Sequence, residues 1–398
     1  MRPSTDSFGT ALPPVRVLIV EPDGRAGNWH YATALASALR GIGLDVVLAT
    51  LSPFESLPIL SGLHVIRVGR RALFRQWPVA WLPVRLALHL DKIVRLRRAI
   101  RHFRPDVVHI HGAIGVLDGA YFRYLQARGL AVCYTVHWLE SLNGKASKAD
   151  IARHRAADAL FVHSADGASR LRAEGVDERK IWKINHLNLQ HLYGPPMAPD
   201  QARRRLGLPL DSRVLLFFGV IEPRKGLDIL IEAFTALAGA HPRLRLVVAG
   251  AAPDGFDGYA AQIDALGIRD RVLAHIGYVP FEEISTYFSA ADIVVLPYRR
   301  IVQSGVLQLA YGFGRPVVVS DIGGIAATVQ EDGTGVVAGS LQAKDLATSI
   351  DSLLRATDRA GSMAARGRVL SETKYSWPAV ATEIAGAYRT ILRQRTAI

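Results

Sequence analysis

Arg224-Lys225-Gly226 places two cations just before an apolar helical pattern at residues 227–237. The first N–H groups of a helix have no internal partner and carry the positive end of its dipole, so anions gather there. An arginine can grip two phosphate oxygens at once, and a lysine adds a compact charge. This trio suits a diphosphate. Further on, Gln303-Ser304-Gly305-Val306 opens a second apolar helix, with small residues that let a phosphate approach the backbone amides. Gly219 closes the apolar strand before the first run, and Tyr278 follows another strand; both are candidates to touch the same ligand. Solvated charges and plain β-α-β turns would use the same residues, and spacing alone leaves both readings open.

The first half offers fewer candidates. His137 ends the strand pattern 130–137, at the carboxyl edge where open α/β sheets bind ligands, and suits general acid–base work or substrate orientation. Gly27-Asn28 begins a helical stretch after the strand pattern 15–21 and could receive an acceptor's phosphate or hydroxyls. A tight turn with an asparagine cap would look the same. His109 and His111 share one strand face, yet no third ligand accompanies them, so they read as satisfied core histidines rather than a metal site. Gly24 and Gly27 lack the G-x-G-x-x-G spacing, and the strand pattern 45–50 does not end in an acid, which disfavours a nicotinamide enzyme.

Strands and helices must hold these residues in place, and the chain alternates between them with regularity. Alternation of this kind predicts an α/β protein with parallel sheets. Residues 292–297 are almost wholly apolar, as a strand covered on both faces must be. Helices are expected at 114–128 and 379–393. A proline- and glycine-rich passage after Asn188 marks a boundary. It divides an N-terminal unit, residues 1–192, from a C-terminal unit, residues 193–375, with a last helix in 376–398.

With 398 residues, 49% hydrophobic and 21% charged, the chain has material for two cores. No run of 18 apolar residues occurs and the N-terminus lacks an apolar signal segment, so neither a transmembrane helix nor secretion is expected. The single Cys133 permits no intrachain disulfide and fits a reducing, cytoplasmic compartment. The net charge of +13 is lopsided: residues 1–195 hold 26 Lys and Arg against 15 Asp and Glu. The stretch from Arg70 to Arg104 alone holds ten Lys or Arg with one acid, interleaved with Trp77, Trp81, Leu86 and Leu90. That composition suits a segment lying in the headgroup layer of an anionic membrane. A helix packed on the sheet with a solvated basic face is the alternative, while nucleic acid is disfavoured because no recognised motif accompanies the charge.

The runs FFGVIEPRKGLDILIEAF, GYVPFEEISTYFSAADIVVLPY and GFGRPVVVSDIGG resemble the family 4 glycosyltransferases of the GT-B fold. DVVHIHG, the TVH strand end, DGTGVVA and the SW before the last helix extend the resemblance over most of the chain. It implies two Rossmann-like, doubly wound parallel-sheet domains facing a cleft, with a nucleotide-sugar donor held by the C-terminal one. It implies a last helix that returns to the N-terminal domain, and neither metal nor cofactor. The activity implied is transfer of a sugar, with retention, to a glycan or polyprenyl-linked acceptor. The setting implied is surface or exopolysaccharide assembly at the cytoplasmic face of the membrane.

Residue by residue, Lys225 with Arg224 matches the family's diphosphate-binding pair, although the arginine usual after the glycine at 219 is Val220 here. His137 matches the histidine near the transferred sugar, and Gly27 the glycine of the acceptor loop. The Glu-x7-Glu motif departs: its positions hold Ile301 and Leu309, and the Pro-Glu of the usual GGIPE run is Ala326-Ala327. Gln303, Ser304, Gly305 and Val306 stand in its place with amides and a hydroxyl. The departure keeps two alternatives open, a GT-B nucleotide-sugar epimerase and a catalytically inactive glycan- or lipid-binding paralogue.

Overall fold

The computed structural model describes residues 14–22, 24, 26–50, 57–68, 82–115, 117–137, 146–300 and 304–396. The first lobe is built from β1 (Arg16–Glu21), α1 (Ala26–Gly41), β2 (Asp45–Thr50), β3 (His64–Arg67), α2 (Leu82–Phe103), β4 (Val107–Ile110), α3 (Asp118–Gln126), β5 (Ala131–Thr135), α4 (Lys148–Ala156), β6 (Ala159–Val162), α5 (Ala165–Ala173) and β7 (Ile181–Lys183). Among the described residues its strands form one parallel sheet in the order β3-β2-β1-β4-β5-β6-β7.

The second lobe begins with α6 (Pro199–Arg205) and β8 (Arg213–Phe218), followed by α7 (Leu227–Ala238), β9 (Leu244–Gly250), α8 (Asp257–Ala265) and β10 (Val272–Ile276). It continues through α9 (Phe281–Ala290), β11 (Ile293–Leu296), α10 (Gly305–Gly312), β12 (Val317–Ser320), α11 (Gly323–Asp332), β13 (Gly335–Ala338), α12 (Ala343–Arg355) and α13 (Thr357–Glu372). Its parallel sheet runs β10-β9-β8-β11-β12-β13. Helices cover both faces of each sheet, which is why central strands such as VVHI and IVVL are buried along their whole length. Two doubly wound lobes of this kind make the GT-B architecture.

The chain crosses between lobes near Asn188 and returns near Tyr375, and the two crossings are tied together. Asn188 N–H donates to the Tyr375 carbonyl at 3.0 Å, and Trp377 Nε1 donates to the Asn188 carbonyl at 2.6 Å. The last helix, α14 (Trp377–Thr396), then packs back on the first lobe. There Tyr388 Oη meets His109 Nδ1 at 2.6 Å, and Arg395 pairs with Asp158 at 2.8 Å. Val380, Ile384, Tyr388 and Ile391 join a buried apolar cluster that runs from β1 through Leu187 and Leu189 into β8 and β11.

Two helix boundaries differ from expectation for local reasons. The helix expected at 114–128 begins only at Asp118, because the Asp118 carboxylate accepts from the N–H groups of Ile114 and Gly115 at 2.9 and 2.8 Å and holds them in a turn. The last helix starts earlier than residue 379, helped by Ser376 Oγ accepting from Ala379 N–H at 3.4 Å. In α2, Leu96, Ala99 and Phe103 face the core, while Leu90, Val94, Arg98 and Arg101 point outward. Trp77 and Trp81 lie outside the described residues. Among the described residues no helix is long and apolar enough to cross a membrane.

Candidate active site in the cleft

In the second lobe the winding direction reverses between β8 and β11, and open α/β sheets bind ligands at the carboxyl ends of the strands flanking such a reversal. β8 hands over to Gly219, whose φ of 99° is a conformation that L side chains avoid. The chain then enters the Arg224-Lys225-Gly226 turn. Gly226 has φ 67°, and a Cβ there would overlap the Pro297 carbonyl oxygen, so only glycine lets the turn lie against the end of β11. Arg299 fastens it from the other side. Its N–H donates to the Arg224 carbonyl at 2.7 Å, and its guanidinium bridges the Pro223 carbonyl at 2.8 Å and the Asp228 carboxylate at 2.7 and 2.5 Å. Arg299 therefore holds the turn.

Arg224 pairs with Glu222 at 2.5 Å. Lys225 is buried, with its ammonium 3.1 Å from where a Gly219 Cβ would stand and 5.7 Å from the Tyr298 ring centroid. Val306 Cγ2 lies 3.6 Å from the same Gly219 position, so the first turn of α10 and the lysine converge on one corner. Burial, and then the Arg224 charge, push the Lys225 pKa down to about 8 against the opposing pull of Glu222. Among the described residues no carboxylate forms a salt bridge with Lys225. A buried cation in that condition is costly until an anion arrives. Ser304, also buried, stands just before α10 with its Oγ 3.4 Å from Tyr298 Oη.

Across the cleft, four strands of the first lobe each deliver a histidine within three residues of their carboxyl ends: His111 after β4, His137 after β5, His163 after β6 and His186 after β7. Tyr31 of α1 stands at their centre, its ring 5.6, 5.2, 5.3 and 4.8 Å from theirs in that order. His109 lies beneath, its ring 4.2 Å from that of His111 and tilted to it by 41°, and is fixed by Tyr388 Oη at 2.6 Å and Thr135 Oγ1 at 2.7 Å. His111 Nδ1 meets His137 Nε2 at 3.3 Å, so His137 is oriented by a neighbour that is itself held by packing.

Burial pushes the whole group toward the neutral form: His163 down to about 4 against the opposing pull of backbone hydrogen bonds, and, with the neighbouring rings adding to the effect, His109 to about 3 and His111, His137 and His186 well below the usual value. Tyr31 Oη, His111 Nε2 and His163 Nε2 are buried without a hydrogen-bond partner among the described residues. Each such orphan costs roughly 1–3 kcal/mol. His109 is thus the satisfied core histidine expected from its strand face, and His111 is not. Among the described residues no group of three His, Cys, Asp or Glu is arranged to hold a metal ion.

The structure brings Gly219, Lys225, Ser304, Gly305 and Val306 together, with Arg224 alongside. His186 reaches that corner from the opposite lobe, its Cε1 3.9 Å from the Cβ position of Gly305. A cavity of about 540 Å³ runs between the lobes there, lined by His163 and His186 on one side and by Ser304, Gln308, Gly323 and Gly324 on the other. Three candidates stand apart. Tyr278 is exposed over a separate cavity of about 640 Å³ beside β10, with His275 and Tyr287. Gly27 is exposed, and Asn28 lies within the first turn of α1 rather than capping it, because the helix already begins at Ala26. Gln303 and Ile301 lie outside the described residues, and Leu309 is buried in the core. Reasoning from the sequence missed Tyr31, His163 and His186; the signal that could have found them was a histidine at the end of strand after strand.

Residues 27–186 match the family described as Glycosyltransferase Family 4, and residues 199–369 the family described as Glycosyl transferases group 1. One match falls on each lobe, and the chain belongs to the family 4 glycosyltransferases. It is 28% identical over 404 residues to D-inositol 3-phosphate glycosyltransferase of Thermobispora bispora, covering 93% of this chain and 91% of that one. In fold it is similar to sucrose-phosphate synthase from Thermosynechococcus elongatus, with a TM-score of 0.76, 21% identity and 96% and 100% of the two chains covered. It is also similar to Anabaena HepE in complex with UDP-glucose, with a TM-score of 0.74, 16% identity and 94% and 99% covered.

Proposed function

We propose that this glycosyltransferase moves a hexose from a nucleoside diphosphate to a hydroxyl of a glycan or polyprenyl-linked acceptor, with retention and without a metal, in surface or exopolysaccharide assembly. One observation carries the reading: a buried Lys225, without a salt bridge among the described residues, and the opening turn of α10 meet over Gly219 at the edge of the cleft. As the bond from the anomeric carbon to the diphosphate breaks, negative charge builds on the departing phosphate. Lys225, Arg224 and the amides at Ser304, Gly305 and Val306 stabilise that charge more than they stabilise the bound donor, which lowers the barrier. The acceptor hydroxyl bonds to the anomeric carbon and gives its proton to the departing phosphate oxygen, which holds the electron pair of the broken bond. We assign contact with the sugar from the first lobe to His137, which is neutral and oriented by His111. The UDP-glucose held by the HepE neighbour supports a nucleotide-sugar as donor.

The outward stripe of Leu90, Val94, Arg98 and Arg101 on α2 supports peripheral contact with an anionic membrane surface at its cytoplasmic face. A thermal-shift panel of UDP-, GDP- and ADP-hexoses tests the donor reading, since a ligand at 100 times its Kd stabilises the fold by about 2.7 kcal/mol. A flat response across the panel overturns it. Product analysis with donor alone separates transfer from epimerisation. Co-sedimentation with phosphatidylserine vesicles at low and high salt tests the membrane contact, which fails if anionic lipid makes no difference.

A further inference from the structure

We infer that Asn188 is a positioning residue of the transfer site: it ties α10, whose head receives the phosphates, to both chain crossings and through them to α1 of the first lobe. This rests on the glycosyltransferase reading above and adds what keeps its two half-sites in register.

The bonds come first. Asn188 is buried, and each of its polar groups is used. Its N–H donates to the Tyr375 carbonyl at 3.0 Å and its carbonyl accepts from Trp377 Nε1 at 2.6 Å, which joins the outgoing crossing to the returning one. The side chain reaches elsewhere. Nδ2 donates to the Gln308 carbonyl, in the middle of α10, at 2.8 Å, and Oδ1 accepts from the Gln190 N–H at 2.8 Å. Only this orientation of the amide pairs a donor with an acceptor at both ends.

Fit along the helix is the second observation. The crossing touches α10 at its head, middle and tail. His186 meets it at Gly305 and Asn188 at Gln308, while a Cβ on Gly312 would overlap Gln190 Cβ and stand 2.8 Å from Asn188 Oδ1. Gly312 lies within the helix, so space rather than backbone conformation demands a glycine there. With 8 residues α10 is short enough to move as one piece, and its first turn forms half of the corner with Lys225.

The far ends of the tie are the third. The turn that Asn188 Oδ1 shapes leads into Gln190–Tyr193, where Tyr193 Oη meets His30 Nδ1 at 2.7 Å. His30 belongs to α1 and precedes Tyr31 of the histidine cluster. On the returning crossing, Tyr375 Oη donates to Asp332 at the end of α11 at 2.6 Å, and Lys374 Nζ to the same carboxylate at 2.9 Å. Both helices that point their heads into the cleft from the second lobe are thus anchored to the residues that join the lobes. An apolar side chain at 188 would fill the space with no polar group to satisfy; what the amide adds is one fixed register between crossing and helix. Transfer depends on that register, since a shift of about 1 Å at the reacting atoms costs on the order of 100-fold in rate.

Hydrogen exchange on the full chain, with and without whichever of UDP, GDP and ADP binds it in calorimetry, reads the tie directly. In the wild type the nucleotide should slow exchange about fivefold at residues 304–312 and also at 186–193 and 375–379. Asn188→Asp keeps the shape of the side chain but sets an acceptor against the Gln308 carbonyl. It should bind the nucleotide with unchanged affinity, keep the slowing at 304–312 and lose it at both crossings. Asn188→Leu, which buries no charge, should do the same. Trp377→Phe should lose the slowing at 375–379 alone. Slowing at the crossings that survives in Asn188→Asp and Asn188→Leu overturns the proposal, as does its absence from the wild type with nucleotide bound. Faster exchange in the variants with an unchanged nucleotide effect marks a bond that only stabilises, and overturns it too. Should no nucleoside diphosphate bind the wild type, the enzyme reading itself falls and takes this tie with it.

Discussion

The two lobes share a winding scheme and differ in what they place at its reversal point. In the second, between β8 and β11, a glycine turn presents Lys225 and Arg224 with a helix start. In the first, between β1 and β4, the same crevice opens on imidazoles and a phenol that burial keeps uncharged. One lobe is suited to an anion and the other to neutral hydroxyls. The contrast follows from the side chains at strand ends, since the backbone scaffold is common to both. A reaction that tears a diphosphate from a sugar needs both environments within one cleft.

The sharpest way to break this contrast is Lys225→Ala. Turnover should fall about 100- to 1,000-fold, as for the loss of one donor to a developing anion. The melting temperature should hold or rise, because an unneutralised buried charge is removed. Steady-state kinetics beside a melting curve checks both, and wild-type turnover would strip the second lobe of its role. Next in size, Gly226→Ala forces a side chain into left-handed backbone against the Pro297 carbonyl and should cost on the order of 2 kcal/mol in urea unfolding, with donor affinity lost in step.

The contrast should also appear in pH. Lys225, with its value lowered to about 8, loses its charge above that pH, so donor KM should rise by up to about tenfold per pH unit from 8 upward. In Lys225→Arg the rise should vanish; a rise that persists assigns it to another group. On the acid side the first lobe responds. His163, at about 4 in the fold, is neutral where the unfolded chain would be protonated, so the unfolded state binds more protons below the usual value. Its contribution is complete above about pH 6.5 and drains away as pH falls toward 4, the loss amounting to about 1.4 kcal/mol at pH 5.5. His163→Gln should flatten the stability–pH curve by that amount, and an unchanged slope would move the titration to His137 or His186.

Much of the second lobe was readable in the sequence, because its site is made of neighbours: FFG, PRKG and SGV are contiguous runs whose glycines and charges announce a turn and a helix start. The apolar strands were readable too, since burial on both faces leaves no room for polar residues at IVVL or VVHI. The first lobe's floor was not. Tyr31, His111, His163 and His186 come from four segments up to 155 residues apart, and each alone looks like a core residue. Only the sheet order, which no local pattern encodes, makes them neighbours. Arg299 was equally hidden: its partner Asp228 lies seventy-one positions earlier, and no local pattern joins the two.

The return of α14 has a bearing on how the molecule is made. Synthesis delivers the first lobe early, yet His109 in its floor waits for Tyr388, and Asp158 waits for Arg395, both of which follow the second lobe in the chain. The histidine floor therefore acquires its final support only after the second lobe has emerged, and a ribosome that stalls before residue 388 releases a protein with an assembled anion corner facing an unfinished wall.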